Sequence, residues 1–116
     1  MHELGIVLEV IKQVEDIARA NNLTEIDTIV LQIGELSLIV PRYIEEIYPT
    51  AVMDSFLSDT LLRIEIIPGV VACTKCGLNY HLKDSDYNCP NCSCSEWIII
   101  KGTEFLIKEI LIKSSD

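Results

Sequence analysis

The first twenty residues carry apolar side chains at the spacing of a helix. From Leu4 to Ala18 these side chains recur every three or four positions, and charged side chains occupy the positions between them. This spacing predicts an amphipathic helix that continues to Ala20. Asn21 and Asn22 follow it and suit a helix C-terminus, where a residue in the left-handed conformation often ends the helix.

Three later segments have patterns typical of strands. Residues 28–33 alternate, so that the apolar side chains at 29, 31 and 33 share one face, and Gly34 predicts the end of the strand or a bulge. The second predicted strand runs from Leu61 to Pro68 and the third from Phe105 to Lys113.

A second helix is predicted between the first two strands. Pro41 suits its first turn, and apolar residues continue at helical spacing to Val52. Pro49 lies inside this segment, and a proline in an unbroken helix removes a hydrogen bond at a cost of about 3 kcal/mol. We therefore expect a kink at Pro49 or a division into two short helices.

The composition changes between residues 70 and 100. This segment is poor in aliphatic residues and rich in Cys, Asn, Ser and Asp, so we expect it to bury no core of its own. The order of elements predicts an α+β fold, with a small three-stranded sheet, two helices on one of its faces, and an inserted subdomain. The expected domains are residues 1–69 plus 101–116, and the insert, residues 70–100.

Length and charge exclude several classes of protein. At 116 residues we expect one domain, or a small domain with a smaller satellite, and not two full-sized domains. The net charge of −9, with nine scattered Lys and Arg, argues against nucleic acid and against an anionic membrane surface. The sequence has no apolar run near the ~20 residues that span a bilayer and no secretory leader. We therefore expect a cytoplasmic protein with a retained N-terminus.

The five cysteines fall within 22 residues and form two C-x-x-C pairs, Cys73/Cys76 and Cys89/Cys92, separated by twelve residues. Two such turns on facing hairpins place four thiolates in the tetrahedral arrangement of structural zinc, as in a zinc ribbon. An iron–sulfur or other soft-metal site, two disulfides, and a redox C-x-x-C are the alternatives. Clustered cysteines without a leader favour a metal, which would also supply folding free energy.

Two further side chains near these pairs are potential ligands. Cys94 is a potential replacement for Cys92, but C-x-x-C geometry favours Cys92 and leaves Cys94 as a reduced, spare thiol. His81 lies between the pairs, and we expect an ordinary surface histidine because four thiolates already complete the shell. A closed shell has no position for water, which argues against a catalytic zinc.

The N-terminal residues Met1, His2 and Glu3 form a compact potential chelator. The Met1 amine, the His2 backbone nitrogen and the His2 imidazole offer fused rings, with Glu3 near a fourth position. A planar set dominated by nitrogen suits Ni(II) or Cu(II). The positive end of the helix dipole opposes a bound cation and favours Glu3. From these residues alone, an incidental His2 is the simpler interpretation.

Several motifs occur in one order along the chain: MHE-L, IGELS, a C-x-x-C after IEIIPGVVA, CPNC, and GTEF. In this combination the chain resembles the HypA/HybF family of hydrogenase nickel-incorporation proteins, from Met1 to about Ile112. The resemblance implies a nickel-binding α/β layer with a zinc-binding domain inserted before the last strand. It assigns zinc to Cys73, Cys76, Cys89 and Cys92, and nickel to the Met-His-Glu terminus with His2 indispensable.

The resemblance implies a nickel metallochaperone that carries Ni(II) as cargo and Zn(II) as a structural ion. Its implied partners are a HypB-type GTPase and a hydrogenase large-subunit precursor, with urease maturation as a further role in some members. The width of the apolar stripe on the first helix is compatible with a homodimer. No set of residues in the sequence supports catalysis. The alternative functions are a zinc-ribbon interaction module in a regulatory complex, with His2 incidental, and a C-x-x-C oxidoreductase.

Overall fold

Helices and strands follow one another in the order expected of an α+β protein. The structure is a computed structural model that describes residues 2–112, apart from the side chain of His2. Its elements are α1 (His2–Ala20), β1 (Thr28–Gly34), α2 (Pro41–Val52), β2 (Leu61–Ile67), β3 (Val70–Cys73), β4 (Asn79–His81), a 3-10 turn (Lys83–Ser85), β5 (Trp97–Lys101) and β6 (Phe105–Leu111).

The strands form two separate three-stranded sheets, in the orders β2-β1-β6 and β4-β3-β5. In the first sheet, Leu61 N–H donates to Asp27 O and Glu35 N–H donates to Ile67 O, so β2 runs parallel to β1. The second sheet is antiparallel throughout, with Val71 between Tyr80 and Ile99. These findings confirm the predicted α+β class with two helices, a three-stranded sheet and a second sheet that carries the cysteines.

The buried residues of the predicted apolar stripe of α1 are Val7, Ile11, Val14 and Ala18, and α1 packs against α2. Leu4, Leu8 and Ile17 of the same stripe are exposed, so that part of the prediction was wrong.

Strand β1 ends at Gly34 as predicted, and both of its faces are covered along Thr28 to Leu31, since all four residues are buried. Lys108 Nζ lies 3.0 Å from Glu65 Oε1, so this pair reaches across the central strand β1.

The helix α2 continues through Pro49 without interruption. The expected division into two short helices was therefore wrong. Pro49 lies in the last turn, so its missing N–H interrupts the helical hydrogen bonds only near their end. The side chains of Ile44, Tyr48 and Val52 form the buried stripe of this helix.

Residue contacts divide the chain into two compact units. The first unit contains residues 1–31, 39–65 and 106–116, and the second contains residues 32–38 and 66–105. The predicted domain boundaries at residues 69/70 and 100/101 stay a prediction. The expectation that the insert buries no core was wrong, because Val71, Tyr80 and Leu82 form a buried cluster with two of the cysteines.

Three glycines allow three segments of the second unit to approach closely. A Cβ at Gly34 would overlap the carbonyl group of Gly102, and a Cβ at Gly102 would lie 2.6 Å from the Cα of Gly69. The carboxylate of Glu35 accepts a hydrogen bond from Gly69 N–H at 2.9 Å, and that of Glu104 accepts one from Gly102 N–H at 2.8 Å. The motifs IGELS, IIPG and GTEF therefore meet in one glycine junction, which only residues without a Cβ allow.

Candidate metal centre

The two C-x-x-C pairs come together at one end of the second sheet. Cys73 ends β3, Cys76 follows in the turn toward β4, and Cys89 and Cys92 lie in the turn before β5. All four Sγ atoms lie within 4.8 Å of one another. The Cys73–Cys92 and Cys76–Cys89 sulfur separations are 3.5 and 3.6 Å. We refer to these four residues as the four-cysteine cluster.

The cluster fits a tetrahedral metal ion. Zinc–sulfur bonds of about 2.3 Å in a tetrahedron place the sulfur atoms about 3.8 Å apart, close to the two observed separations. A disulfide requires a sulfur–sulfur distance of about 2.05 Å, and all five cysteines are free thiols. The sulfur-only donor set and the tetrahedral spacing are consistent with structural zinc.

Backbone amide groups converge on the sulfur atoms in both turns. The N–H groups of Lys75 and Cys76 donate to the Cys73 sulfur at 3.4 and 3.5 Å. The residue after each pair then has a positive φ, +80° at Gly77 and +64° at Ser93. The two turns therefore have related backbone conformations, although Ser93 has a Cβ and Gly77 does not. The sequence analysis did not single out Ser93, although its place after the second cysteine matches that of Gly77.

The surroundings of the cluster shift the pKa values of Cys73 and Cys92 in opposite directions. Hydrogen bonds from the backbone amides of Cys76 and Lys75 lower the pKa of Cys73 to about 6. The Cys94 amide favours the Cys92 thiolate, but the neighbouring sulfur atoms of the cluster and burial outweigh it and raise the pKa of Cys92 to about 12. Four thiolates this close together repel one another, and a divalent cation removes that repulsion.

The four-cysteine cluster is also part of the core of the second unit. Cys73 and Cys89 are almost fully buried against Val71 and Tyr80. Trp97 packs on the same core, and its ring centroid lies 6.5 Å from that of Tyr87. Packing and metal binding in this unit therefore use the same residues.

Cys94 and His81 lie outside the four-cysteine cluster. The Cys94 sulfur accepts a hydrogen bond from Glu96 N–H at 3.4 Å, and the Cys94 carbonyl accepts one from Cys89 N–H at 2.9 Å. Cys94 thus supports the turn mainly through its backbone. His81 is about half exposed, with Nδ1 3.9 Å from an Asp84 carboxylate oxygen.

The other predicted site lies at the start of α1. The helix begins at His2, and Glu3 is a half-buried residue in its first turn. Met1 and the imidazole of His2 lie outside the described part of the chain. The nickel ligands Met1, His2 and Glu3 therefore stay a prediction.

The fold and the cysteine cluster together define a small α+β metal-binding protein. The family model described as hydrogenase/urease nickel incorporation, metallochaperone, HypA matches residues 1–112. The chain belongs to this HypA family. Its members are metal-delivery proteins and not enzymes. Membership of this family therefore argues against the two alternative functions, a redox C-x-x-C protein and an unrelated zinc-ribbon module.

Known relatives match the chain along its length. The hydrogenase maturation factor HypA of Chlorobium limicola (strain DSM 245 / NBRC 103803 / 6330) is 30% identical over 116 residues and is covered completely, as is this chain. The factor of the same name from Trichodesmium erythraeum (strain IMS101) is 35% identical over 113 residues, which cover 97% of this chain and 96% of the relative.

Solved structures share the fold. The solution structure of a HypA protein matches with a TM-score of 0.70 at 25% identity, covering 97% of each chain. The solution structure of the Ni metallochaperone HypA from Helicobacter pylori matches with a TM-score of 0.65 at 24% identity, covering 95% of this chain and 96% of that one. In the described part of this chain, neither helix has the length and apolar character needed to cross a membrane.

Proposed function

We propose that this protein carries Ni(II) at its N-terminus, through the Met1 amine, the His2 backbone nitrogen and the His2 imidazole, with Glu3 nearby. The observation that supports this proposal is that α1 begins at His2. The first backbone N–H groups of a helix have no intrahelical partner, so binding metal at the His2 nitrogen disrupts no helical hydrogen bond. A nitrogen-rich planar set favours Ni(II), and delivery requires ligands that can exchange.

The four-cysteine cluster has a different proposed role. We infer that Cys73, Cys76, Cys89 and Cys92 hold a structural Zn(II) that stabilises the second unit. Four thiolates complete the tetrahedral shell, and two of them are buried in the core, so this ion does not exchange readily. The proposed cargo and structural sites thus differ in donor type.

We further propose a cytoplasmic protein that delivers nickel during maturation of a [NiFe]-hydrogenase and also of urease. The partners implied by the family are a HypB-type GTPase and the hydrogenase large-subunit precursor. Neither nucleic acid nor a membrane is a proposed partner, since the net charge is −9. Self-association as a homodimer is part of the same proposal.

Titration of the zinc-loaded protein with Ni(II) tests the nickel site. His2→Ala should remove specific nickel binding, because the imidazole is its strongest neutral donor, while zinc content and the midpoint of denaturation stay unchanged. His81→Ala is the matched control, since it removes the other histidine, an exposed one. Addition of residues before Met1 should also weaken binding, because the amine becomes an amide. Full-strength nickel binding by His2→Ala would contradict the proposed mechanism.

A further inference from the structure

A groove of about 790 Å³ lies in the first unit, between one stripe of α2 and the start of β2. Tyr48 and Val52 form its buried floor, and Glu45 and Pro49 lie exposed at its rim. Among the described residues, neither Glu3 nor any member of the four-cysteine cluster lines it. Neither the proposed nickel site nor the proposed zinc site therefore accounts for this groove.

The strand beside the groove has a free edge. In the sheet as described, β2 lies at one end and has β1 as its neighbour. Leu61 and Ile67 make backbone hydrogen bonds toward the β1 side, and N–H and C=O groups alternate in direction along a strand. The backbone groups of Leu62 and Ile64, which line the groove, therefore point away from β1. Such groups form a template for another strand.

We propose that this groove binds an extended peptide segment of a partner protein, which adds to the sheet as a strand beside β2. Its main chain pairs with the outward backbone groups of Leu62 and Ile64. An apolar side chain of the segment packs over Val52 and the ring of Pro49. Main-chain pairing supplies affinity in this mode of recognition, and pockets for alternate side chains supply specificity.

The charges of the groove favour a basic segment. Glu45 and Asp59 contribute two carboxylates to the lining. Arg63 is the cation among the lining residues, and its guanidinium already lies 3.7 Å from the Glu109 carboxylate. An anionic ligand would meet two negative groups, and a second copy of this chain brings a net charge of −9. A segment with Lys or Arg two positions from an apolar residue directs both side chains toward α2, which carries Glu45 and Val52, because every second residue of a strand shares a face.

The groove is held in shape by buried hydrogen bonds. Tyr48 Oη donates to the Thr60 carbonyl at 2.9 Å, and Thr60 Oγ1 donates to the Ile26 carbonyl at 2.7 Å. These bonds fix α2 against the loop that leads into β2. A groove shaped in advance loses less conformational entropy when a peptide binds.

The direct test uses the fluorescein-labelled heptapeptide Thr-Lys-Thr-Val-Thr-Lys-Thr, whose two Lys and central Val share one face of a strand, with binding followed by fluorescence anisotropy. We expect saturable binding that is weakened at least tenfold when the central Val is replaced by Pro, which cannot pair as a strand. Replacement of every Lys by Glu should have a similar effect. A Kd weaker than about 1 mM for the Lys/Val peptide would overturn the proposal.

Charge variants distinguish the groove from the general acidity of the protein. Glu45→Lys with Asp59→Lys should weaken peptide binding at least tenfold. Glu25→Lys with Asp54→Lys is the matched control, because it makes the same change in net charge at exposed residues outside the lining, and it should change binding less than twofold. Equal losses in both double variants would show non-specific attraction and reject the groove.

Amide hydrogen exchange locates the strand. The peptide should slow exchange at Leu62 and Ile64, while the exchange of Leu61 and Arg63, which face β1, stays the same. Unchanged exchange at Leu62 and Ile64 would overturn the proposal. Dimerisation in sedimentation runs would also overturn the proposal if Glu45→Lys with Asp59→Lys abolished it, because the occupant of the groove would then be a second copy of this chain. His2→Ala should bind the peptide normally, so failure here and failure of the nickel site can be distinguished.

Discussion

The two cysteine turns share a positive backbone φ but differ in the residue that adopts it. Gly77 and Ser93 both have a positive φ, a conformation that costs a residue with a Cβ about 1–2 kcal/mol. Ser93→Gly should therefore raise the free energy of unfolding by up to about 1 kcal/mol, and Gly77→Ala should lower it by about the same amount. A Cβ at Gly77 meets no atom within 4 Å, so a clash does not complicate the comparison. Denaturant titration of the zinc-loaded variants measures both effects, and a destabilised Ser93→Gly would contradict this explanation.

The fifth cysteine provides a second test at this scale. Cys94→Ser should leave zinc content close to that of the wild type, since its sulfur lies outside the cluster and its backbone supports the turn. Cys89→Ser should lose the ion and unfold the second unit, because Cys89 is both a proposed ligand and a core residue. Metal analysis and circular dichroism of the two proteins give the readout. Tolerance of Cys89→Ser combined with zinc loss in Cys94→Ser would mean that the ligand set is wrong.

At the scale of elements, the periodicity of the sequence predicted both helices and the strands of the first sheet. Helical spacing and alternation depend on local geometry, which neighbouring residues determine. The parallel pairing of β1 with β2 depends on the contacts of Asp27 and Glu35 with residues more than thirty positions away, which no local pattern encodes. The core of the insert was missed for a related reason, since Tyr80 and Leu82 are buried only when the hairpin brings them together with Val71.

The contact between α2 and the loop that leads into β2 gives a pH-dependent prediction. Burial raises the pKa of Tyr48 to about 12, against an ordinary value of 10.0. The pKa of Tyr48 is higher in the folded than in the unfolded state. The stability that comes from keeping its hydroxyl protonated is therefore complete below pH 10 and is lost as the pH rises toward 12. Tyr48→Phe should cost about 1 kcal/mol at neutral pH through the lost hydrogen bond, and should lose less stability between pH 10 and 12.

Urea titrations across this pH range measure the difference. Tyr43→Phe is the control, because Tyr43 lies on the same helix with an exposed ring. It should follow the wild-type curve at both ends of the range. Parallel curves for wild type and Tyr48→Phe would show that ionisation of Tyr48 does not limit alkaline stability.

At the scale of the whole molecule, the sequence predicted the four cysteines correctly as one group, because C-x-x-C spacing is a local constraint on a turn. Its nickel prediction depends on Met1 and the His2 imidazole, which lie outside the described part of the chain, and it stays a prediction. The two units also differ in what stabilises them. Both helices belong to the first unit, whereas the core of the second contains the sulfur atoms themselves.

Removal of the metal should therefore affect the units unequally. A strong chelator should unfold the second unit and leave the helical circular dichroism of α1 and α2 largely intact. Reloading zinc at pH 7 should release close to four protons per ion, because the thiols of an unfolded segment have pKa values of about 8.5 and are mostly protonated. An indicator dye in weak buffer measures the release. Release of two protons or fewer would show that thiolates form before the metal binds.

The position of Trp97 gives the protein a built-in optical reporter. It is the single tryptophan of the sequence, and it packs on the core that contains Cys73 and Cys89. Indole emission shifts to longer wavelength when water reaches the ring, so selective excitation of tryptophan monitors the second unit without an attached dye. Unfolding of the helices alone should leave this emission unchanged. One cuvette can then separate the loss of metal, seen in the emission, from the loss of helix, seen in the far ultraviolet.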